Sequence, residues 1–598
     1  MNNRPVIVAS ILLTTALSIA ACGGGGPGQP TEVPRTPTAN IDAGMNKLIF
    51  RWLITPGATH YKLLENADGQ SGFTQIGTDL PATALATTLN IPVHLHDFVN
   101  ALYIVQGCNQ IGCTGSNQLS PTTAMLGTVG YFKSSNTESG DQFGESIALS
   151  ADGALLAVGS IDDSGAIGIN GDQNDNSAEG SGAVYLFRFD GITWNQEAYI
   201  KASNAESGDG FRNVTLSGDG NTLAVSATAE DSGATGINGE QSDNSAADSG
   251  AVYLFRFDGM TWFQEAYIKA SNTEAGDLFG SSAALSADGN TLVVGARSED
   301  GNGTGITGDQ NNNSESTSGA AYLFRFDGQD WIQDAYIKAS NTEGGDQFGE
   351  SVALSDDGAI LAVGSIDDSS ATGINGDQCD NSAEGSGAVY LFRFDGITWN
   401  QEAYIKASNA ESGDGFGNVT LSGDGNTLAV SATAEDSGAS GINGDQGDDS
   451  IDDSGAVYLF RFNGTDWFQE AYIKASNTGF DDAFGRAVGL SVVGNMLAVA
   501  ASEEDSNASG VGGDDIDNSA ENSGAVYLFR FDGTDWYQHT YVKSSNTESD
   551  DGFGAAVAIS SDGRRMAVGA PGEDSNATGI SSVQNDNSTP AAGAVFLY

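Results

Sequence analysis

A mark of the form Lys-Ala/Ser-Ser-Asn stands at Lys133, Lys201, Lys269, Lys338, Lys406, Lys474 and Lys543, in steps of 68, 68, 69, 68, 68 and 69 residues. A period held that closely constrains the fold more than composition can. It specifies one supersecondary unit copied along the chain, each copy burying its apolar face only against its neighbours. The stretch Lys201 to Trp262 shows one unit, and the array fills everything after about residue 126.

Four strand-length runs stand out in a copy; in the first they are 143–150, 155–160, 183–189 and 193–201. Each is rich in Val, Ala, Tyr, Phe and Ile and bounded by Gly, Asp, Asn or Ser. Ala151-Asp152-Gly153 and Asp190-Gly191 are tight hairpin signals between them. Four antiparallel strands taken seven times predict an all-β chain with a seven-bladed β-propeller of four-stranded blades. The segment 593–598 matches a third strand, and 127–133 matches a fourth strand that precedes the first full copy. Pairing the two would close the ring and remove an open edge; an open, truncated array is the alternative. Copies one and two recur as copies four and five at an offset of 205 residues, which points to duplication of a three-copy block.

A Phe-Gly pair stands at Phe143, Phe279, Phe348, Phe416, Phe484 and Phe553, with Phe211-Arg212 in the second copy, and Gly569-Ala570-Pro571 ends one strand. Over about 470 residues this pattern resembles the FG-GAP repeats of integrin alpha subunits and their bacterial relatives. The resemblance implies a propeller that binds a protein or glycan without catalysis, as in cell adhesion. Integrin-type repeats carry a calcium loop between the first two strands, but here that position holds the short turn Ser150-Ala151-Asp152-Gly153, so the site does not carry over. The phenylalanines read as core anchors. The tryptophans Trp194, Trp262, Trp331, Trp399, Trp467 and Trp536 recur at one strand position and read as packing.

The 23 Lys and Arg stand against 79 Asp and Glu, a net charge of −56. Phosphate-rich partners need a positive field, so nucleic acid and anionic lipid surfaces are excluded as partners of the propeller; cations or basic partners fit. Strand alternation places the second loop of each copy and the crossover to the next on one face. These segments are acidic and hold the candidate site. Calcium takes six to eight oxygens from flexible Asp and Asn loops, and its candidate ligands are Asp162, Asp163, Asp172, Asp175 and Asn176, with Asp367, Asp368, Asp377, Asp380 and Asn381 as counterparts. Solvated loops closed by Asx turns are the other reading. The crossover acids Asp141, Asp209, Asp277, Asp346, Asp414, Asp482 and Asp551 are the candidate ligand-face acids. Carboxylate pairs also serve glycan-cleaving enzymes, but catalysis needs one non-repeated constellation and these acids recur. His539 is the array's single histidine and reads as a surface residue, so no catalytic residue is assigned; Cys379 reads as an accidental surface thiol.

Residues 1–21 form an export signal, with Arg4 ahead of an apolar run from Val6 to Ala20 that is too short to span a membrane comfortably. Ile19-Ala20-Ala21-Cys22 resembles the lipobox of bacterial lipoproteins, which implies a lipid-modified Cys22 and, with Gly23 following, an outer-membrane or cell-surface location. Residues 22–45 read as a Gly/Pro/Thr linker. Residues 46–125 read as a small β-sandwich; Trp52, Gly57 to Tyr61 and Tyr103 resemble fibronectin type III modules. Cys108 and Cys113 form either a disulfide, which export permits, or a reduced pair; zinc lacks ligand spacing. The propeller occupies 126–598. The chain as a whole reads as an exported, lipid-anchored monomer that binds an extracellular protein or glycan through the acidic loop face and holds no cofactor other than a candidate calcium. A glycan-active enzyme and a passive envelope or spacer protein are the alternatives.

Overall fold

Each apolar run of the repeat forms a strand because its flanking turns are closed locally. At the first hairpin the Ala154 N–H donates to Asp152 Oδ1 at 2.8 Å, and Ser150 Oγ does so at 2.7 Å. At the next, the N–H groups of Ile192 and Thr193 both donate to Asp190 Oδ1 at 2.8 Å. Side-chain acceptors of this kind replace the ladder bonds that a turn gives up.

The computed structural model describes residues 30–165, 167–306, 308–369, 372–580 and 583–598. The export signal, Cys22 and the start of the linker lie outside them. Described residues of 30–40, 51–86 and 102–119 form one unit, and those of 41–50, 87–101 and 120–598 form the other. That division differs from the expected boundaries near 46 and 126. The reason is local bonding: the Asn46 N–H donates to Thr128 O at 2.8 Å, and His94 Nε2 meets Gly563 O at 3.0 Å.

The first unit centres on a four-stranded antiparallel sheet ordered Thr74–Pro81, His60–Asn66, Leu102–Cys108 and Cys113–Gly115. Cys108 and Cys113 are joined by a disulfide across its last two strands. A three-stranded sheet joins Ala39–Gly44, Lys47–Trp52 and Ala86–Asn90. Its first strand lies inside the stretch expected to be linker. Its apolar residues, Ala39, Ile41 and Ala43, alternate with Asn40 and Asp42, and none of its residues is fully buried.

Seven four-stranded antiparallel sheets follow among the described residues. The first is Ser146–Leu149, Leu155–Ser160, Ala183–Phe189 and Trp194–Ile200 in spatial order, with Val158 opposite Tyr185 and Tyr185 opposite Tyr199. A bulge falls between Leu186 and Phe187 and recurs in the next five sheets, as at Leu254/Phe255 and Leu323/Phe324. The last sheet comprises Val557–Ile559, Met566–Ala570 and Ala594–Leu597 and takes its fourth strand, Gly130–Phe132, from ahead of the array, with Phe596 opposite Tyr131.

The second strand of every sheet is buried along its whole length. A strand buried on both sides needs apolar residues on both, and these read as continuous runs such as LLAVGS and TLVVGA. The cover comes from the adjacent sheet: Leu155, Val184 and Ile200 of the first pack with Phe211, Val225 and Tyr253 of the second. Phe132, Val595 and Leu597 of the last sheet pack with Phe143, Tyr185 and Phe187 of the first.

The phenylalanine of the Phe-Gly pair is the shared anchor. Phe279 is fully buried and meets Tyr322 and Phe324 edge-on, with ring centroids 5.3 and 6.2 Å away. Its backbone comes so close to the preceding sheet that a Cβ on Gly250, at φ +78°, would stand 2.1 Å from Phe279 O. Farther out, four of the six recurring tryptophans bond across to the preceding sheet, as Trp331 Nε1 does to Glu265 Oε2 at 3.0 Å. Arg256 pairs with Glu265 at 2.7 Å and lies 5.0 Å over the Phe326 ring.

Truncating a buried Phe removes burial and leaves a cavity, worth about 3–5 kcal/mol. Phe279→Ala is therefore expected to lower the thermal midpoint strongly, whereas Phe263→Ala, at a half-exposed position, is expected to leave it nearly unchanged in the same melt.

Candidate functional site

Antiparallel order puts the second loop of each repeat and the crossover to the next at one end of the sheets. Beneath each loop lies a buried polar cluster organised by the repeat's lysine. Lys269 Nζ donates to Glu230 Oε2 at 2.8 Å and Ser249 Oγ at 2.6 Å. Glu230 Oε1 accepts from Tyr267 OH at 2.7 Å and Asn204 Nδ2 at 3.1 Å, and Oε2 accepts from the Ser232 N–H at 3.1 Å. Lys338–Glu299 and Lys474–Glu435 repeat the pair at 2.8 Å, Lys543–Glu504 at 3.0 Å and Lys133–Glu573 at 2.8 Å, with every one of these lysines fully buried.

Repeats one and four carry an aspartate instead, one methylene shorter, and the cluster adjusts. Lys201 Nζ reaches Asp163 Oδ1 only at 3.5 Å and takes Asp163 O at 2.9 Å. The hydroxyls of Tyr185 and Tyr199 close on the carboxylate at 2.5 and 2.6 Å. Lys406 and Asp368 follow the same pattern. Burial pushes the Asp163 carboxyl up, but Lys201 and the two tyrosines outweigh it and hold the group below its usual range. Burial also brings the Lys201 ammonium down to about 8.

The structure therefore separates the ten residues expected to bind calcium. Asp163 and Asp368 are buried against lysines, away from the exposed remainder. Asp172 and Asp377 close their own turns, accepting from the N–H of Asn174 at 3.1 Å and of Cys379 at 3.0 Å. Asp175 accepts from the Ser177 N–H at 3.1 Å. Asn176 and Asn381 donate to Glu138 and Glu343 at 2.6 and 2.5 Å, and Asp367 accepts from Gln347 Nε2. Asp162 is exposed, and Asp380 is exposed beside the free Cys379. Among the described residues no group of three or more His, Cys, Asp and Glu is arranged to hold a metal ion. Adjacent residues in a loop diverge here because one side chain turns into the sheet end and its neighbour turns out.

The crossover acids are not on the face either. Asp141, Asp209, Asp277, Asp346, Asp414, Asp482 and Asp551 are all buried. Each folds back on its own crossover: Asp141 Oδ2 accepts from the Glu138 N–H at 2.8 Å and Asp482 Oδ2 from the Gly479 N–H at 2.7 Å. Loss of hydration pushes six of these carboxyls up to about 7 and Asp551 up to about 8. What remains on the surface is the outer part of the second loops, with an exposed acid in each repeat: Asp172, Asp243, Asp309, Asp377, Asp445, Asp514 and Asp586. None of these seven is in an ion pair among the described residues.

The lysine clusters escaped the reading of the sequence, although a signal for them existed. An acid recurs 38 or 39 residues before each lysine from Lys201 onward, in a chain otherwise poor in bases.

The FG-GAP repeat model matches residues 262–324, 331–392 and 536–598, so these stretches are FG-GAP repeats and the fold is propeller-like. No curated protein matches the sequence. Among solved structures, the chain is similar to a putative 6-phosphogluconolactonase from Bacteroides uniformis, at 10% identity over 81% of this chain and 98% of that one, with a TM-score of 0.39. For the periplasmic gluconolactonase of Pseudomonas aeruginosa the values are 13%, 70%, 97% and 0.39. For the WD40 repeats of RRP9 they are 7%, 78%, 96% and 0.40. Likenesses this distant carry no argument about activity.

Two outcomes are expected. Removing one partner of a buried ion pair strands the other charge, at about 3–5 kcal/mol, so Lys269→Met should lower the thermal midpoint and adding Glu230→Gln should recover part of the loss. The raised crossover carboxyls bind protons more readily folded than unfolded, so stability falls as pH rises from about 4 to about 7, through the interval between their unfolded and folded values. Chemical denaturation at pH 5.5 and 7.5 measures this; Asp277→Asn should shrink the difference and Asp172→Asn should not.

Proposed function

We propose that the chain is a non-catalytic binding protein at the cell surface, a closed seven-bladed ring whose acidic loop face recognises a protein or glycan carrying positive charge. The observation that carries this reading is the exposed, unpaired acid in the second loop of each repeat, set above a buried lysine cluster that fixes where the loop begins and ends. Rigid presentation lowers the ordering cost of binding, and a field of one sign speeds encounter with an oppositely charged partner. Pairing of Ala594–Leu597 with Gly130–Phe132 supports the closed ring. A binding role fits a site built from repeated residues, whereas turnover calls for a unique set.

Export, lipid attachment at Cys22, placement in an outer membrane or at the cell surface, a fibronectin-like character for the first unit and a monomeric state complete the proposal, with no nucleic acid and no cofactor needed. The test is binding of the full chain to panels of extracellular proteins and glycans at low and high salt, with and without chelator. Partners are expected to bind more weakly at high salt and to a variant carrying Asp172→Asn, Asp309→Asn, Asp377→Asn and Asp445→Asn. Binding that ignores all four changes, or cleavage of a bound glycan, would overturn the proposal.

A further inference from the structure

The face opposite the acidic loops carries the first and third turns of each sheet, and there the repeat is broken once. The two residues after the first-turn glycine are Ala154-Leu155, Asn221-Thr222, Asn290-Thr291, Ala359-Ile360, Asn426-Thr427 and Asn495-Met496 in six sheets, and Arg564-Arg565 in the last. No other copy places a base in this turn. The last sheet also takes its fourth strand from Gly130–Phe132, so it lacks the Arg-Phe-Asp/Asn-Gly hairpin that links the third and fourth strands in the other six. Residues 45–47 and 88–92 lie over that gap, and a cavity of about 650 Å³ remains, lined wholly by residues of the second unit.

The composition of its wall runs against the rest of the molecule. Acids outnumber bases by 79 to 23 in the chain, yet the wall contains Lys47, Arg564 and Arg565 and no acid. None of the three is in an ion pair among the described residues. Arg565 is held in place: Nη1 donates to Gly153 O at 2.7 Å, and the guanidinium lies 4.6 Å over the Phe189 ring and 5.5 Å over Trp194. The carboxylates that act on it from a distance, Asp152 and Asp562, accept from the serines of their own turns, Ser150 and Ser560, at 2.7 and 2.9 Å.

The loop that presents Arg564 is fixed from behind. Burial holds His94 neutral, with its pKa down at about 4, and its Nε2 donates to Gly563 O at 3.0 Å. Beside these groups the wall offers Ile192, Trp194 and the hydroxyl of Thr88, while Thr193 Oγ1 donates to Asp190 Oδ2 at 3.3 Å. Convergent bases, a hydroxyl and an apolar side in a cavity of this volume describe a small-molecule site rather than a packing defect.

We propose that this cavity binds an organic anion of sugar size, with its carboxylate or phosphate held by Lys47 and Arg564 over the fixed Arg565, and its hydroxyls facing Thr88. The site is separate from the acidic face, so either can stand without the other.

Isothermal titration of the full chain with glucuronate, glucose 6-phosphate, inorganic phosphate and glucose tests it. The two sugar anions are expected to bind, more weakly as salt is raised, and glucose is not. Lys47→Gln and Arg564→Gln, neither of them in the core, are each expected to weaken binding about 10-fold, some 1.4 kcal/mol, with the melting temperature unchanged; Arg486→Gln, outside the cavity wall, should have no effect. The proposal is overturned if no sugar anion binds, if glucose or inorganic phosphate binds as tightly as the sugar anions, or if both cavity variants bind like the parent chain.

Discussion

The fold depends on sheets that cannot be stable alone. The second strand of each is apolar on both sides and the third is buried over most of its length, so each sheet requires a neighbour on either side. At about 25 cal/mol per Å² of apolar surface, this mutual cover is the main favourable contribution, and it fixes the spacing between sheets. Close backbone approach follows: Gly250 against Phe279 O leaves no room for a side chain, which is why glycine stands before the third strand in every copy.

At one end of each sheet the same density is reached with polar groups. A lysine and a carboxylate taken out of water cost several kcal/mol each, and the clusters offset this by giving the carboxylate several donors, as Glu230 receives from Lys269, Tyr267, Asn204 and the Ser232 N–H. Their geometry is directional where apolar packing is not. They set where each long loop leaves and rejoins the sheet, and they allow the residues between to be acidic and exposed. The large negative charge is thereby partitioned: part is neutralised in the interior, part suppressed in crossover turns where desolvated carboxyls retain protons, and part displayed.

Departures from the repeat carry most of the individual information in this molecule. Aspartate at 163 and 368 follows the duplicated block and is absorbed by a shift of the tyrosine hydroxyls. Arg564 and Arg565 are not absorbed in that way. They occur where the last sheet lacks a hairpin and where residues outside the array come over it, so a break in sequence and a break in structure coincide.

The strands, the hairpins and the pairing of the last sheet with Gly130–Phe132 were legible in the sequence, because each depends on local alternation, turn chemistry or a matched period. The phenylalanine and tryptophan positions were legible for the same reason. The candidate site was legible only as a region. Asp162 and Asp163 are chemically identical neighbours, and nothing local distinguishes them. Asp163 is buried because Lys201, Tyr185 and Tyr199 arrive from strands about 20 to 40 residues away. The strand for 39–44 was missed because its short alternation, Ala39-Asn40-Ile41-Asp42-Ala43, ends a Gly/Pro/Thr run and carries one large apolar side chain. The basic cavity joins residues 45–47, 88–92, 189–194 and 564–565, segments with no sequence relation to one another. The sequence by itself determined the repeating unit, since that depends on near neighbours; the tertiary structure decided which charges are buried, which are displayed and which converge, since that depends on groups brought together only when the sheets pack.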